Sequence, residues 1–147
     1  MSKGNREKEW KHDGLDCHIM KVIYESGTFH RCGYVTIPEG HNCFGISYDD
    51  IPVEVHGGLT YSKYHDDRKK YTVGFDTAHA GDRSSNEHDR DGHFWTLEEM
   101  VKETNELAES LNKVTLQQIV EEKLRWMPDW FKKNVRITVE TNGENKN

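Results

Sequence analysis

The chain has no run of about 18 apolar residues, so a membrane-spanning helix is excluded at the sequence level. It also lacks a basic excess. Lys and Arg number 20 against 26 Asp and Glu, a net charge of −6. Phosphate backbones are held by clustered Lys and Arg, so a long nucleic acid is not expected as a partner. A local basic pocket stays open. The Cys-x-x-Cys spacing is absent too. Cys17, Cys32 and Cys43 are odd in number and widely spaced, which fits reduced thiols better than a disulfide frame or a structural zinc site. The opening residues, Met1 to Glu9, carry no apolar segment of the signal-peptide kind. These features together lead us to expect a cytosolic protein.

Apolar residues make up only 33% of the 147, and charged residues 31%. The core is therefore lean. Four Trp, six Tyr and five Phe compensate, because aromatics bury large area per residue. A chain of this length reads as one domain. We place it at residues 13–141, after a flexible arm (1–12) and before a disordered tail (142–147).

Cys17 to Tyr24 and Phe29 to Ile37 are rich in β-formers and flank a Ser26-Gly27 turn, the pattern of a hairpin. Val53 to about Tyr61 reads as a third strand and Tyr71 to Asp76 as a fourth, with Lys63 to Lys70 as the loop between them. Thr77 to Phe94 is a long polar loop. Thr96 and Glu99 form a capping box, followed by Leu97, Met100, Val101, Thr104, Leu107, Ala108 and Leu111 at helical spacing. Thr115 and Gln118 repeat the box. Trp126, Met127, Trp130 and Phe131 read as an apolar plug between helix and sheet, and Val135 to Val139 as a last strand. The expected fold is α+β. It has an antiparallel sheet of about five strands, two hairpins plus the C-terminal strand, packed by one or two helices.

Two runs concentrate the chemistry: Val55 to Ser62 and Gly74 to Asp82. Each begins like a strand and breaks into glycines beside polar residues. Glycine inside a strand marks a bulge or a close backbone approach. Packing alone does not call for His56, Asp76, His79 and Asp82 at such points. Pairing of the third and fourth strands would bring His56 near Asp76. As general acids and bases the four are candidate catalytic residues. The same imidazoles and carboxylates are also a donor set for a divalent metal. The plainer alternative is Asp capping a turn and His as a satisfied polar residue at a sheet end. Gly57 and Gly58 with Thr60, Tyr61 and Ser62 offer backbone and hydroxyl donors to a phosphate. They lack the ending of a P-loop. Tyr48, Asp49 and Asp50 are read either as a third wall, the ring stacking on a base and the carboxylates accepting from a ribose, or as a capped turn before Pro52. Arg31, Lys63, Arg68 and Arg83 are the cations nearest in sequence.

These runs resemble a group of small proteins encoded by tailed bacteriophages. The likeness rests on Gly33-Tyr34-Val35 with Pro38 and His41, and on Tyr48-Asp49-Asp50. It continues through Val55-His56-Gly57-Gly58-Leu59-Thr60-Tyr61-Ser62, Gly74-Phe75-Asp76, Ala78-His79-Ala80-Gly81-Asp82 and the helix start Thr96 to Glu98. Where the group often has His-Pro, this chain has His41-Asn42. The resemblance implies a phage accessory protein in the bacterial host cytoplasm, and by analogy an anti-defence role against nucleotide immune signals. Three readings follow. The chain hydrolyses a phosphorylated or nucleotide-like small molecule, or it sequesters one as a sponge, or it inhibits a host protein by binding it. A lean core is also compatible with a homodimer.

Overall fold

Asp13 and Gly14 turn the chain with positive φ at both residues, 52° and 81°. That backbone matches the right-handed twist of paired strands. The turn joins β1 (Lys3–His12) to β2 (Leu15–Ile23). Ser26 and Gly27 then lead into β3 (Phe29–Pro38). A one-turn helix, Tyr48–Asp50, interrupts the passage to β4 (Tyr61–His65), and β5 (Lys70–Asp76) follows. The helices are α1 (Leu97–Lys113), α2 (Leu116–Leu124) and α3 (Asp129–Asn134). This computed structural model describes residues 3–85 and 91–134. The fold is α+β. Its antiparallel sheet has the order β1-β2-β3-β5-β4.

Alternation decides what each sheet face holds. Leu15, Cys17 and Ile19 of β2, Val35 and Ile37 of β3, and Tyr71, Val73 and Phe75 of β5 are all buried on one face. Helix α1 lies there and contributes Met100, Thr104, Leu107, Ala108 and Leu111. Gly33 allows this close approach, since a Cβ at that position would lie 2.5 Å from Thr104 Oγ1 and Phe75 Cε1. Both capping boxes form as the sequence suggests. The three cysteines are free and buried. Burial pushes the Cys17 thiol to about 11 and that of Cys43 to about 12, which leaves them protonated and inert. Among the described residues, no helix is long and apolar enough to cross a membrane.

Four expectations change. Residues 3–12, expected as a flexible arm, are strand β1. Their charge is that of an edge strand, which discourages pairing with another chain. Arg6 pairs with Glu9, Lys11 with Asp16, and Trp10 turns inward to bond Asn105. The third strand does not run from Val53. Gly57 and Gly58, at φ 71° and 80°, break it, and pairing begins only where the Thr60 N–H meets the Gly74 carbonyl. Lys63 to His65, read as loop, belong to β4. The Trp126 to Phe131 plug is not one, because Trp126 and Trp130 are 73% and 67% exposed. The expected strand at 135–139 and the tail at 142–147 lie outside the described residues.

Candidate functional site

The site forms where the end of β5 meets the start of α1. Asp76, the last residue of β5, accepts hydrogen bonds from Thr60 Oγ1 and the Ala78 N–H, both at 3.0 Å. The chain then turns, and Asp82 comes back beneath the His79 N–H at 3.0 Å. This loop is fastened by backbone bonds from His93 N to Gly81 O and from Arg83 N to His93 O. His93 is fixed in turn by Glu99 of α1 at 2.8 Å.

Asp82 is the centre of the arrangement. It is buried. His56 Nε2–H donates to its Oδ2 at 2.8 Å, with Oδ1 at 2.9 Å. Trp95 Nε1–H donates to Oδ1 at 3.1 Å. Burial pushes this carboxyl up. The bonds from His56, the His79 N–H and Trp95, with the His56 charge, outweigh burial and hold the group below its usual value. Asp82 is therefore an anion at neutral pH, and it selects the Nε2–H form of His56. The His56 Nδ1 has no hydrogen-bond partner among the described residues. Trp95 packs against the His56 ring at 4.5 Å between centroids. The His56 backbone N–H donates to Glu103 of α1 at 2.8 Å.

The second pair is His79 with Asp76. His79 Nε2 comes within 3.0 Å of Asp76 Oδ1. Its angle is too poor for a hydrogen bond, so this nitrogen is buried without a partner. The contact is an electrostatic approach that protonation would strengthen. The His79 ring rests on Gly57, where any Cβ would enter the imidazole. The two imidazoles meet edge to face at 6.0 Å.

The four proposed catalytic residues therefore come together, but with the partners exchanged. His56 pairs with Asp82, and His79 with Asp76. Thr60 joins them through Asp76, and Gly57 through His79. The remaining sequence candidates sit elsewhere. Ser62 supports the Tyr48 N–H at 3.2 Å, Asp49 accepts from Ser47, and Asp50 faces Lys123 of α2 at 3.5 Å. Tyr48, Asp49 and Asp50 thus form a turn tied to α2, not a wall of this site. Tyr61 faces the side of the sheet away from α1. Gly58 shapes the turn. Arg31 is committed to Glu7 at 2.8 Å and to the Trp95 carbonyl at 2.9 Å, and so positions Trp95. Arg68 lies over Tyr64. Arg83, next to Asp82, is the cation closest in sequence to the pairs.

Among the described residues, no group of three or more His, Cys, Asp and Glu is placed to hold a metal ion. Asp82 already receives three N–H donors, and a metal there would have to displace His56. Trp95 and Glu103 were missed from sequence. Both carried a signal. Trp95 directly precedes the Thr96 cap, and Glu103 follows Glu99 by four residues, one turn along the same face.

Comparison with protein-family models, with curated proteins and with solved structures gives no match for this chain.

Proposed function

We propose that the His56–Asp82 and His79–Asp76 pairs are the acid–base centre of a small hydrolase acting on a phosphorylated or nucleotide-like small molecule. The observation that carries this reading is two imidazoles 6.0 Å apart, each set against its own carboxylate. With a phosphoester seated between such rings, one imidazole removes a proton from the water whose oxygen bonds to phosphorus, and the other gives a proton to the ester oxygen that leaves as the P–O bond breaks. Asp82 fixes the His56 tautomer with Nδ1 as the base. Asp76, 3.0 Å from His79 Nε2, orients the His79 ring, which acts as the acid. No step needs a metal. In keeping with the phage resemblance, the substrate class we favour is a cyclic nucleotide immune signal in the host cytoplasm.

A second reading is sequestration without turnover. Trp95 against His56 favours it, since an aromatic ring holds a base by stacking; the scarcity of free cations beside the pairs counts against it. One experiment separates the two. The protein is incubated with a panel of cyclic nucleotides and ADP-ribose derivatives, then heated, and the released material is analysed. Degraded ligand supports the hydrolase. Intact ligand recovered in stoichiometric amount supports the sponge and refutes the hydrolase. His56→Ala and His79→Ala each abolish cleavage while the circular dichroism spectrum stays native. Full activity in both variants refutes the assignment.

A further inference from the structure

A cavity of about 860 Å³ opens on the sheet face opposite α1, and none of His56, His79 or Asp82 lines it. Strand register explains its floor. Glu9, His18, Tyr34, Gly74 and Tyr61 stand in one row across all five strands. His18 and Tyr34 stack at 4.8 Å and 16°. Tyr61 meets Tyr34 edge on at 5.4 Å and 82°. Gly74 lies between the two tyrosines. Its missing side chain admits the Tyr34 ring, which a Cβ would strike. The row is thus a continuous aromatic strip, and Tyr61, 39% exposed, is its open end.

The rim limits what this strip can hold. Arg6 is paired with Glu9 at 3.2 Å and Lys70 with Asp66 at 3.7 Å. Lys63, in the next row beside Thr72 and Thr36, has no ion pair among the described residues. Burial and the nearby Arg6 push His18 down to about 4, so at neutral pH it adds ring surface and no charge. One exposed aromatic ring at the end of this strip, with one unspent cation beside it, matches a planar heteroaromatic ring carrying a single anionic group. A polynucleotide would need a run of free cations. A cavity of this size is in the range of small-ligand sites.

We propose that this face binds a mononucleotide, its base stacked on the exposed Tyr61 ring and its phosphate at Lys63. Base–aromatic stacking tolerates any base, because each has a π-face. The site uses none of the four acid–base residues, so it stands or falls apart from the hydrolase reading.

The test is calorimetry and saturation-transfer NMR on the full chain with adenosine 5′-monophosphate, adenosine and inorganic phosphate. Adenosine 5′-monophosphate binds, and its base protons receive saturation from tyrosine ring protons. Tyr61→Ala weakens it about tenfold and Tyr61→Phe restores it. Lys63→Ala weakens the monophosphate and leaves adenosine unchanged. Both positions are exposed, so the variants fold. Absence of binding at millimolar ligand overturns the proposal, as does binding indifferent to Tyr61→Ala and Lys63→Ala. Concentration-dependent self-association abolished by Tyr61→Ala also overturns it, since the occupant is then a second copy. A wild-type protein that binds the monophosphate but cleaves nothing refutes the hydrolase and leaves this site standing.

Discussion

Replacing Asp82 with Asn tests the centre of the site with almost no change of shape. The carboxylate accepts from His56 Nε2, Trp95 Nε1 and the His79 N–H at 2.8, 3.1 and 3.0 Å. A carboxamide has one accepting oxygen. If that oxygen faces Trp95, the NH2 group points at the His79 N–H. If it is flipped, the NH2 group points at the Trp95 N–H. In either orientation one buried donor loses its partner and the other bonds lose their charge. An unsatisfied buried polar group costs about 1–3 kcal/mol, and charge-assisted bonds exceed neutral ones by roughly another 1 kcal/mol. The expected loss is about 2–4 kcal/mol, read at pH 7 from the urea midpoint at unchanged slope. The loss depends on pH with a definite sign. Asp82 has a folded-state pKa below its unfolded one, so its contribution is complete above the unfolded value of about 3.9 and disappears as pH falls through the folded value. The gap between wild type and Asp82→Asn must therefore narrow in acid. A variant within about 0.5 kcal/mol of wild type at pH 7, or a gap that stays constant in acid, would refute the pairing described for Asp82.

Gly57→Ala puts a methyl group into the His79 ring at φ 71°. It should cost about 1–3 kcal/mol and shift the His79 ring resonances in NMR while leaving those of His12 in place. His18 is held neutral to about pH 4 in the folded chain, and in the unfolded chain it binds a proton below about 6.5. Stability should therefore be complete above about 6.5 and decline towards pH 4, a slope that His18→Phe flattens in denaturant titrations. Thr96→Ala removes an acceptor from Glu99 N–H and one side of the capping box. A loss of about 1 kcal/mol is expected, seen as a lower melting temperature.

The parts of the fold with local signals were readable from sequence. Both capping boxes, the α1 stripe and the β2–β3 hairpin follow from spacing and turn residues within a few positions of one another. Strand β1 carried the same kind of signal in Asp13-Gly14, a type I′ pair, but its charge outweighed it. That charge was the mark of a sheet edge. The third strand failed for a different reason. Val53, Val55 and Leu59 do pack on the core. The two glycines at positive φ divert the backbone before a ladder can form. At the site, residue types and their gathering were readable, and partnership was not. Strand pairing brought His56 towards Asp76. Which carboxylate it bonds was decided by the turn through Ala78 to Gly81, which returns Asp82 under His56, and by Trp95 arriving from the cap of α1. Tyr48, Asp49 and Asp50 were composition without geometry, and α2 takes them.

The glycines that break the two runs serve different neighbours. Gly57 gives way to the His79 ring, and Gly74 gives way to Tyr34. In both cases a side chain from elsewhere occupies the space a Cβ would take, so the glycine and the ring it admits form one unit. Gly74 and Asp76 lie two residues apart on one strand, on the same face and about 7 Å from each other. Asp76 is therefore the member of the imidazole pairs that lies nearest the aromatic strip along β5. A base stacked on Tyr61, which pairs with Gly74, sits one strand and one pleat from the carboxylate that faces His79. Occupancy of the strip should then shift the ring resonances of His79 more than those of His56, because His79 faces Asp76 and His56 faces Asp82. The order of those two responses on adding adenosine 5′-monophosphate, followed by histidine ring shifts, discriminates coupled sites from independent ones.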